Sequence, residues 1–369
     1  MKRTLSLLLT AALALTLMAG CGPKTPSAGN SASSAPGSSS SQPEDISQPD
    51  GSVSEPGDVS AGSGRVPNFM VLSGPTGVGA AKMMADYEEN TPASAIASYQ
   101  VVSDNKEVTD ALIHGDVDIA AIATNAAATL SAKSDGAIQV LAVNTLGVLY
   151  ILEKGDTVHS IADLAGKTLY APSNTRGANP EHILNHLLEG NGVDPAAVNI
   201  EWITPQEITV KMTTADAGIC MLPVPAATAL LVKDSGVREA VSLSQAWEDL
   251  EDSPLPMGCV VARTEYIEEN PQEVESFLSV YEKSIDYIKG NEESSALSGP
   301  LSPPALVAQF GFAPNADVAV SAIPQCSLTF VTGQEMKTML EDYYSILFET
   351  APESIGGGLP YDSFYYGIG

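Results

Sequence analysis

The sequence predicts an α/β protein of two lobes, each a mixed, mostly parallel sheet flanked by helices. A succession of strand, turn and helix repeats from Val66 onward, which is typical of parallel sheets with helices on both faces. The chain from that point has about 300 residues, enough for two lobes of ordinary size. Residues 114–120 and 214–219 are alike. Each stretch runs from a helix end through an acid into an apolar strand, and a polar or proline turn follows that strand. This similarity predicts a shared architecture.

The first unit alternates short apolar stretches with amphipathic segments. Its predicted strands are 66–72, 98–102, 117–123 and 138–143, and its predicted helices are 80–89, 105–114 and 126–133. The stretch 149–153 leads out of this unit.

The second unit repeats the pattern. Its predicted strands are 168–171, 200–203 and 217–222. A helix begins near Pro180, which suits a first helical turn, and Gly190 marks its end. A strand at 258–262 returns to the first unit, and amphipathic helices follow at 271–288 and 336–348.

Residues 1–20 have the features of an export signal. Lys2 and Arg3 precede an apolar run from Leu5 to Leu17 that is too short to cross a bilayer with flanks. The ending Met18-Ala19-Gly20-Cys21 resembles a bacterial lipoprotein signal, which implies that Cys21 is acylated and becomes the first residue of the mature chain. The alternative is an ordinary secretory signal with an incidental cysteine.

Residues 21–65 are predicted to be a disordered tether. Between residues 22 and 65, Ser, Pro and Gly occupy 26 of 44 positions. Such a composition buries too little apolar surface to offset the entropy of ordering. As a flexible coil it would reach roughly 35–40 Å. The tether could therefore hold a globular body near a membrane.

The body is strongly acidic. From Val66 onward it has 40 acids and 13 bases, a net charge of −27. This balance argues against nucleic acid and anionic lipid as partners, although an anionic ligand is still possible in a pocket with local dipoles. Cys220, Cys259 and Cys326 are an odd number without metal-type spacing. We interpret them as small buried apolar residues.

Polar residues follow the predicted strands, where ligands of doubly wound sheets bind. The candidates are Ser73, Pro75, Thr76, Thr124, Asn125, Asn144, Thr145, Ser173, Asn174, Thr175, Arg176, Gly177 and Pro223. They offer hydroxyls, amides and one guanidinium beside helix N-termini, which suit a carboxylate, a sulfonate or a ring oxygen. No carboxylate pair, Ser–His pair or cysteine accompanies them. The pattern predicts a binding site without catalytic residues.

Arg176 leaves two alternatives open. It is a cation in a Ser/Asn/Thr/Gly loop just before a helix, in a body with few arginines. It could hold an oxyanion through two parallel hydrogen bonds, or it could be an exposed loop arginine.

Competing motifs do not fit a cofactor or metal site. Gly74, Gly77 and Gly79 have the wrong order for a dinucleotide or phosphate-binding loop. The β-lactamase-like fragments in 103–106 overlap and lack a Lys-Thr-Gly partner. His182 and His186 lie one helical turn apart without the glutamate of a zinc protease, so a solvated polar face is favoured over zinc.

Taken together, these features resemble the substrate-binding proteins of nitrate, sulfonate, taurine and thiamine-precursor ABC transporters. The segments that carry the resemblance are the Cys21 signal, the tether, Gly74-Pro75-Thr76-Gly77, Gly115–Ala120 and Asp163–Thr168 with Pro180-Glu181-His182. The resemblance covers about 66–348 and implies the type II periplasmic-binding fold. It also implies a cleft between the lobes that holds a small-molecule ligand, docking on a permease with its ATPase, and an extracytoplasmic location at the membrane.

The same family implies two crossovers between lobes, which we place near 149–153 and 258–263. Lobe 1 then comprises 66–152 and 262–369, and lobe 2 comprises 153–261. The alternatives are an exported enzyme, which would need a reactive cluster at the strand ends, and a sensor domain, which would need a membrane helix after the body.

Overall fold

A computed structural model describes residues 64–91, 94–290 and 298–368. The predicted signal, Cys21 and almost all of the tether lie outside these residues. The strands are β1 (Asn68–Leu72), β2 (Ser98–Val102), β3 (Ile119–Ala123), β4 (Ile138–Thr145), β5 (Leu149–Lys154), β6 (Thr168–Pro172), β7 (Asn199–Ile203), β8 (Gly218–Pro223), β9 (Val237–Ser242), β10 (Gly258–Arg263) and β11 (Leu328–Val331). The helices are α1 (Pro75–Val78), α2 (Ala81–Glu88), α3 (Asn105–His114), α4 (Thr124–Lys133), α5 (Asn179–Gly190), α6 (Pro205–Thr214), α7 (Ala226–Lys233), α8 (Leu243–Glu251), α9 (Thr264–Glu269), α10 (Pro271–Lys289), α11 (Pro303–Gln309), α12 (Ala316–Ala322) and α13 (Gly333–Thr350).

The strands form two mixed sheets. The first has the order β11-β4-β10-β3-β1-β2 and the second has the order β7-β6-β8-β5-β9. In the first, β1 pairs in parallel with β2 and β3, while β10 is antiparallel to β3 and β4. In the second, β6 pairs in parallel with β7 and β8, while β5 is antiparallel to β8 and β9. The predicted fold class is confirmed.

The two sheets share a strand order. Reading β2-β1-β3-β10-β4 beside β7-β6-β8-β5-β9 matches every strand in position and direction, and β11 is an addition to the first sheet. The similar stretches 114–120 and 214–219 lead into β3 and β8, which hold the same place. The predicted shared architecture of the lobes is therefore confirmed.

The chain changes sheets earlier than the sequence suggested. Because β5 belongs to the second sheet and β10 to the first, the crossovers are residues 146–148 and 252–257. The predicted crossovers at 149–153 and 258–263 are instead strand residues of β5 and β10, and the predicted lobe limits after 152 and 261 fall inside these two strands. We therefore call the part built on the first sheet lobe 1 and the part built on the second sheet lobe 2. The return of 258–262 to the first unit is confirmed, since β10 pairs with β3 and β4.

Local differences occur in both lobes. Elements α6, α7, β9 and α8 of lobe 2 have no predicted counterpart, and neither do α1, α11, α12 and β11 of lobe 1. The apolar residues of α7 follow those of β8 after only two residues, so periodicity does not separate them. In lobe 1, α4 begins at Thr124, two residues before the predicted start.

The cores on the sheets contain the three body cysteines. Cys220, Cys259 and Cys326 are free and buried, as predicted. Burial raises the pKa of the Cys220 and Cys326 thiols to about 12. Of the helices in the described part of the chain, none combines the length and apolar character that a membrane span requires.

Candidate functional site

A cavity of about 670 Å³ lies between the lobes at the carboxyl ends of the parallel strands. Lobe 1 contributes the ends of β1, β2 and β3, and lobe 2 contributes the ends of β6 and β8. The lining residues are Leu72, Ser73, Pro75, Thr76, Ser103, Asp104, Asn105, Ala123, Asn125, Val148, Leu149, Asn174, Thr175, Ala178, Asn179, Pro180, Pro223 and Met257.

Seven predicted site residues line this cavity. They are Ser73, Pro75, Thr76, Asn125, Asn174, Thr175 and Pro223. They come from both lobes, so the structure brings together residues that are up to 150 positions apart in the chain. The strand-end rule therefore located much of the cavity.

The lobe 1 wall is supported from beneath. The short helix α1 follows Gly74, whose φ of 91° lies in the left-handed region that favours glycine. The Asn144 amide donates hydrogen bonds to the Thr76 carbonyl (3.0 Å) and to the Tyr281 hydroxyl (2.8 Å). Asn144 is buried and does not line the cavity. Its role in this structure is to hold Thr76 in place.

Thr124 and Thr145 also lie away from the cavity lining, and they fix a crossover. The Thr124 hydroxyl donates to the Pro256 carbonyl (2.8 Å), and its amide donates to the Met257 carbonyl (3.2 Å). The Met257 amide donates to the Thr145 carbonyl (2.9 Å). These residues hold the segment 252–257, along which the chain re-enters lobe 1.

The lobe 2 wall comes from the loop after β6 and the start of α5. The Thr175 hydroxyl donates to the Pro172 carbonyl (2.7 Å) and closes the loop on itself. Ser173, Arg176 and Gly177 are exposed and are absent from the cavity lining. The structure therefore does not bring the Arg176 guanidinium to the cavity. The loop presents Asn174 and Thr175 instead.

Several lining residues were not among the predicted site residues. Ser103, Asp104 and Asn105 follow β2, and the Asp104 carboxylate caps α3 by accepting from the Lys106 amide (2.8 Å). Applying the strand-end rule to β2 as well would have found them. Asn179 and Met257 carried no such signal, because one lies inside a helix and the other precedes a strand.

The polar groups that line the cavity are mostly uncharged. Among the lining residues that the structure describes, none is Lys, Arg or His, and Asp104 is the one carboxylate. Helices α4 and α5 begin at the cavity, and neither has a side-chain cap on its first turn. Helix N-termini carry a partial positive charge and free N–H groups. The cavity thus combines amide and hydroxyl groups with two helix ends.

His182 and His186, which lie one turn apart on α5, have different surroundings. His186 Nε2 lies 2.6 Å from the Glu251 carboxylate, and its ring contacts Trp247. Burial lowers the pKa of His182 below its usual 6.5. Over the parts of the chain that the structure describes, no group of three or more His, Cys, Asp or Glu is placed to hold a metal ion.

Solved structures with a similar fold include a sulphonate binding protein and the ligand binding component of an import system. The chain is similar to an ABC transporter protein of Parabacteroides distasonis (21% identity, TM-score 0.64), over 81% of this chain and 98% of that one. It is also similar to the periplasmic aliphatic sulphonate binding protein SsuA of Escherichia coli (15% identity, TM-score 0.62), over 79% of this chain and 95% of that one. A third similar structure is the ligand binding component of an ABC-type import system of Staphylococcus aureus, solved with zinc bound (14% identity, TM-score 0.57), over 81% of this chain and 95% of that one. The chain therefore has the periplasmic-binding-protein fold.

Residues 97–295, more than half of the chain, match the NMT1/THI5-like family. The chain belongs to this family, in agreement with the resemblance found in the sequence. No curated protein sequence matches the chain.

Proposed function

We propose that this protein captures a small solute in the cleft between its lobes and delivers it to the permease of an ABC importer. The observation that carries the proposal is the cavity of about 670 Å³ at the strand ends, walled by both lobes. A site of this kind can enclose a solute when the lobes close on each other. Family membership and fold support the same function.

The side chains around the cavity favour binding over chemistry. Those that the structure describes are hydroxyls, amides, apolar groups and the Asp104 carboxylate, without a nucleophile and base in contact. Hydrolytic and transfer enzymes need such a pair or a metal. An exported enzyme of the same fold is accordingly the weaker alternative.

We infer that the solute is a small organic molecule with uncharged polar groups, such as a pyrimidine-type ring. Apolar residues including Leu149 and Met257 share the lining with amides and hydroxyls, which suits a ring with polar edges. The chain has a net charge of −28, and a carboxylate at the cavity disfavours an anion. A sulfonate- or nitrate-type oxyanion is the second candidate, favoured by the uncapped starts of α4 and α5.

A thermal-shift screen of pyrimidines, sulfonates, nitrate, carboxylates and amino acids tests both candidates. A true ligand should raise the melting temperature, with a stabilisation that grows as the logarithm of its concentration above Kd, and it should reduce the radius of gyration in small-angle scattering. Asn174→Ala removes an exposed lining amide and should weaken binding several-fold. Asn199→Ala is the matched control, because Asn199 is exposed on β7 and does not line the cavity. Equal loss in both variants would contradict the assignment of the cavity.

We further propose that the protein works outside the cytoplasm, attached to the membrane by lipid on Cys21. The signal-like residues 1–20 and the Ser-rich segment that follows support this location. Two or more acyl chains, at about 0.8 kcal/mol per buried methylene, give stable attachment. Cys21→Ser should move the protein from the membrane fraction to the soluble exported fraction. If the variant still sediments with membranes, the lipid anchor is wrong.

A further inference from the structure

Two adjacent tyrosines of α13 hold the first residues of two helices that begin at the cavity. The Tyr343 hydroxyl donates to Asn179 Oδ1 (2.6 Å), at the start of α5. The Tyr344 hydroxyl donates to the Thr124 carbonyl (2.9 Å), at the start of α4. Both tyrosines are fully buried, and burial raises their pKa values far above neutrality. Both therefore act as neutral hydrogen-bond donors.

The two hydrogen bonds differ in the lobes that they join. Helix α13 follows β11 of the first sheet and packs on β4, so it belongs to lobe 1. Helix α4 lies in lobe 1 as well, whereas α5 follows β6 of the second sheet. The Tyr344 bond thus stays within lobe 1, and the Tyr343 bond crosses from lobe 1 to lobe 2.

Aromatic packing shows the same division. The Tyr343 ring lies 5.8 Å from the ring of Trp247 in α8 of lobe 2. The Tyr344 ring lies 6.3 Å from the ring of Phe364. The next residue, Tyr365, forms a bridge to Val140 of β4, so this ring pair lies in lobe 1. Asn179 is itself 4% exposed and lines the cavity. Tyr343 therefore contacts the lobe 2 wall of the cleft directly.

We propose that Tyr343 is a positioning residue of the cleft, whose hydroxyl holds the start of α5 against lobe 1 and limits how far the lobes separate. The physical reason is that moving α5 away from lobe 1 would break the buried hydrogen bond between the Tyr343 hydroxyl and Asn179 Oδ1, and a buried hydrogen bond favours the arrangement that keeps it. The bond favours the closer arrangement of the lobes before any solute is present. This inference rests on the proposed function in one respect, because it takes the cleft to be the solute site.

The test measures the distance between the lobes in the solute-free protein. Spin labels are placed at Glu107→Cys in α3 and Gln206→Cys in α6, which are exposed positions on opposite lobes, in the full chain carrying Cys21→Ser. The three body cysteines are buried and are expected to stay unlabelled. The distance distribution is then recorded by pulsed electron paramagnetic resonance for five further variants.

Tyr343→Phe should shift the distribution toward longer distances, with the longer population rising about fivefold for one lost buried hydrogen bond. Asn179→Ala should give a similar shift, and the double variant should add little to either single change. Tyr344→Phe is the matched control and should reproduce the parent distribution, because its bond lies within lobe 1.

Two results would overturn the proposal. One is a Tyr343→Phe distribution that equals those of the parent and Tyr344→Phe. The other is an effect confined to Thr228→Val, which breaks a second bond between the lobes, from the Thr228 hydroxyl to Gln325 Oε1 (2.5 Å). Circular dichroism on each variant excludes unfolding as the cause of a shift. Since no solute is present, a failure here is distinct from a failure to find a ligand.

Discussion

The loops after β1 and β6 occupy the same place in two sheets of the same strand order, yet they are built differently. Both are short, contain Ser and Thr, and end in glycine at Gly77 and Gly177. In lobe 1, Thr76 and Gly77 are buried beneath neighbouring groups. In lobe 2, four of the five residues 173–177 are exposed. Equivalent topology therefore does not imply equivalent packing.

The difference separates a preformed wall from an adaptable one. The lobe 1 loop is held from below by Asn144 and closely covered by Phe312. The lobe 2 loop is held by the Thr175 hydroxyl, by a bond from the Gly177 amide to the Glu181 carboxylate, and through α5 by Tyr343. Exposed segments with few buried contacts open most easily. We expect lobe 2 to supply the wall that adjusts to a solute.

The largest expected contrast is between alanine substitutions at the two glycines. A methyl group at Gly77 would lie 2.6 Å from the Leu72 carbonyl oxygen and would overlap the Phe312 ring. Gly77→Ala should therefore lower the free energy of unfolding by about 3 kcal/mol. Gly177 has φ +66° and no atom within 4 Å of such a methyl, so Gly177→Ala should cost only about 1 kcal/mol, from backbone strain. Urea unfolding measures both.

Gly358→Ala is the control for these substitutions. Gly358 has neither a left-handed φ nor an atom within 4 Å of the added methyl. Its variant should unfold within about 0.5 kcal/mol of the parent. A larger loss at Gly177 than at Gly77 would contradict the distinction between the two walls.

The next contrast concerns the polar groups that hold each loop. Asn144→Ala leaves the Thr76 carbonyl and the Tyr281 hydroxyl without this donor in a buried site. It should lower the free energy of unfolding by about 2 kcal/mol. Thr175→Val removes one hydrogen bond within the lobe 2 loop and should cost about 1 kcal/mol. Equal costs in urea unfolding would mean that the two loops are held equally firmly.

These supports also explain how far the site could be predicted from sequence. Strand ends and turn residues are local signals, so the positions of Ser73, Thr76, Asn125 and Asn174 beside a cavity followed from the chain itself. The direction of a side chain at a strand end depends on distant partners. Asn144 points toward Tyr281, which lies 137 residues further along the chain, and no local pattern indicates this contact.

The fold shows the same limit. Periodicity predicted α3 with its observed bounds and found most strands within two residues. It could not predict which sheet β5 joins, because β5 pairs with β8 and β9, and each pairing spans more than 60 residues. The crossovers were consequently misplaced by several residues. Pairing partners, unlike strand positions, are set by long-range packing.

A smaller effect is expected from pH, and it should act on lobe 2. Burial lowers the pKa of His182 in α5 below 6.5, so the native state favours the neutral imidazole. The unfolded chain then binds more protons as the pH falls below about 6.5, and stability decreases until the pH passes the native pKa. The His182→Asn variant should lose this part of the pH dependence between pH 7 and 5. Thermal unfolding at both pH values checks it, and an unchanged slope would contradict the burial effect.

The smallest expected effect is at Arg176, which is exposed and absent from the cavity lining. Arg176→Ala should change the free energy of unfolding by less than about 0.5 kcal/mol. The affinity of the Arg176→Ala variant for an uncharged solute should change by no more than about twofold, since 0.5 kcal/mol corresponds to that factor.

Calorimetry on the parent, Arg176→Ala and Arg176→Lys decides between the two roles that the sequence left open. A tenfold or greater loss for an oxyanion, only partly restored by lysine, would mean that the 173–177 loop moves onto the solute and that the guanidinium holds it through paired hydrogen bonds. The adaptable wall would then carry the specificity, and the preformed wall would serve as its support.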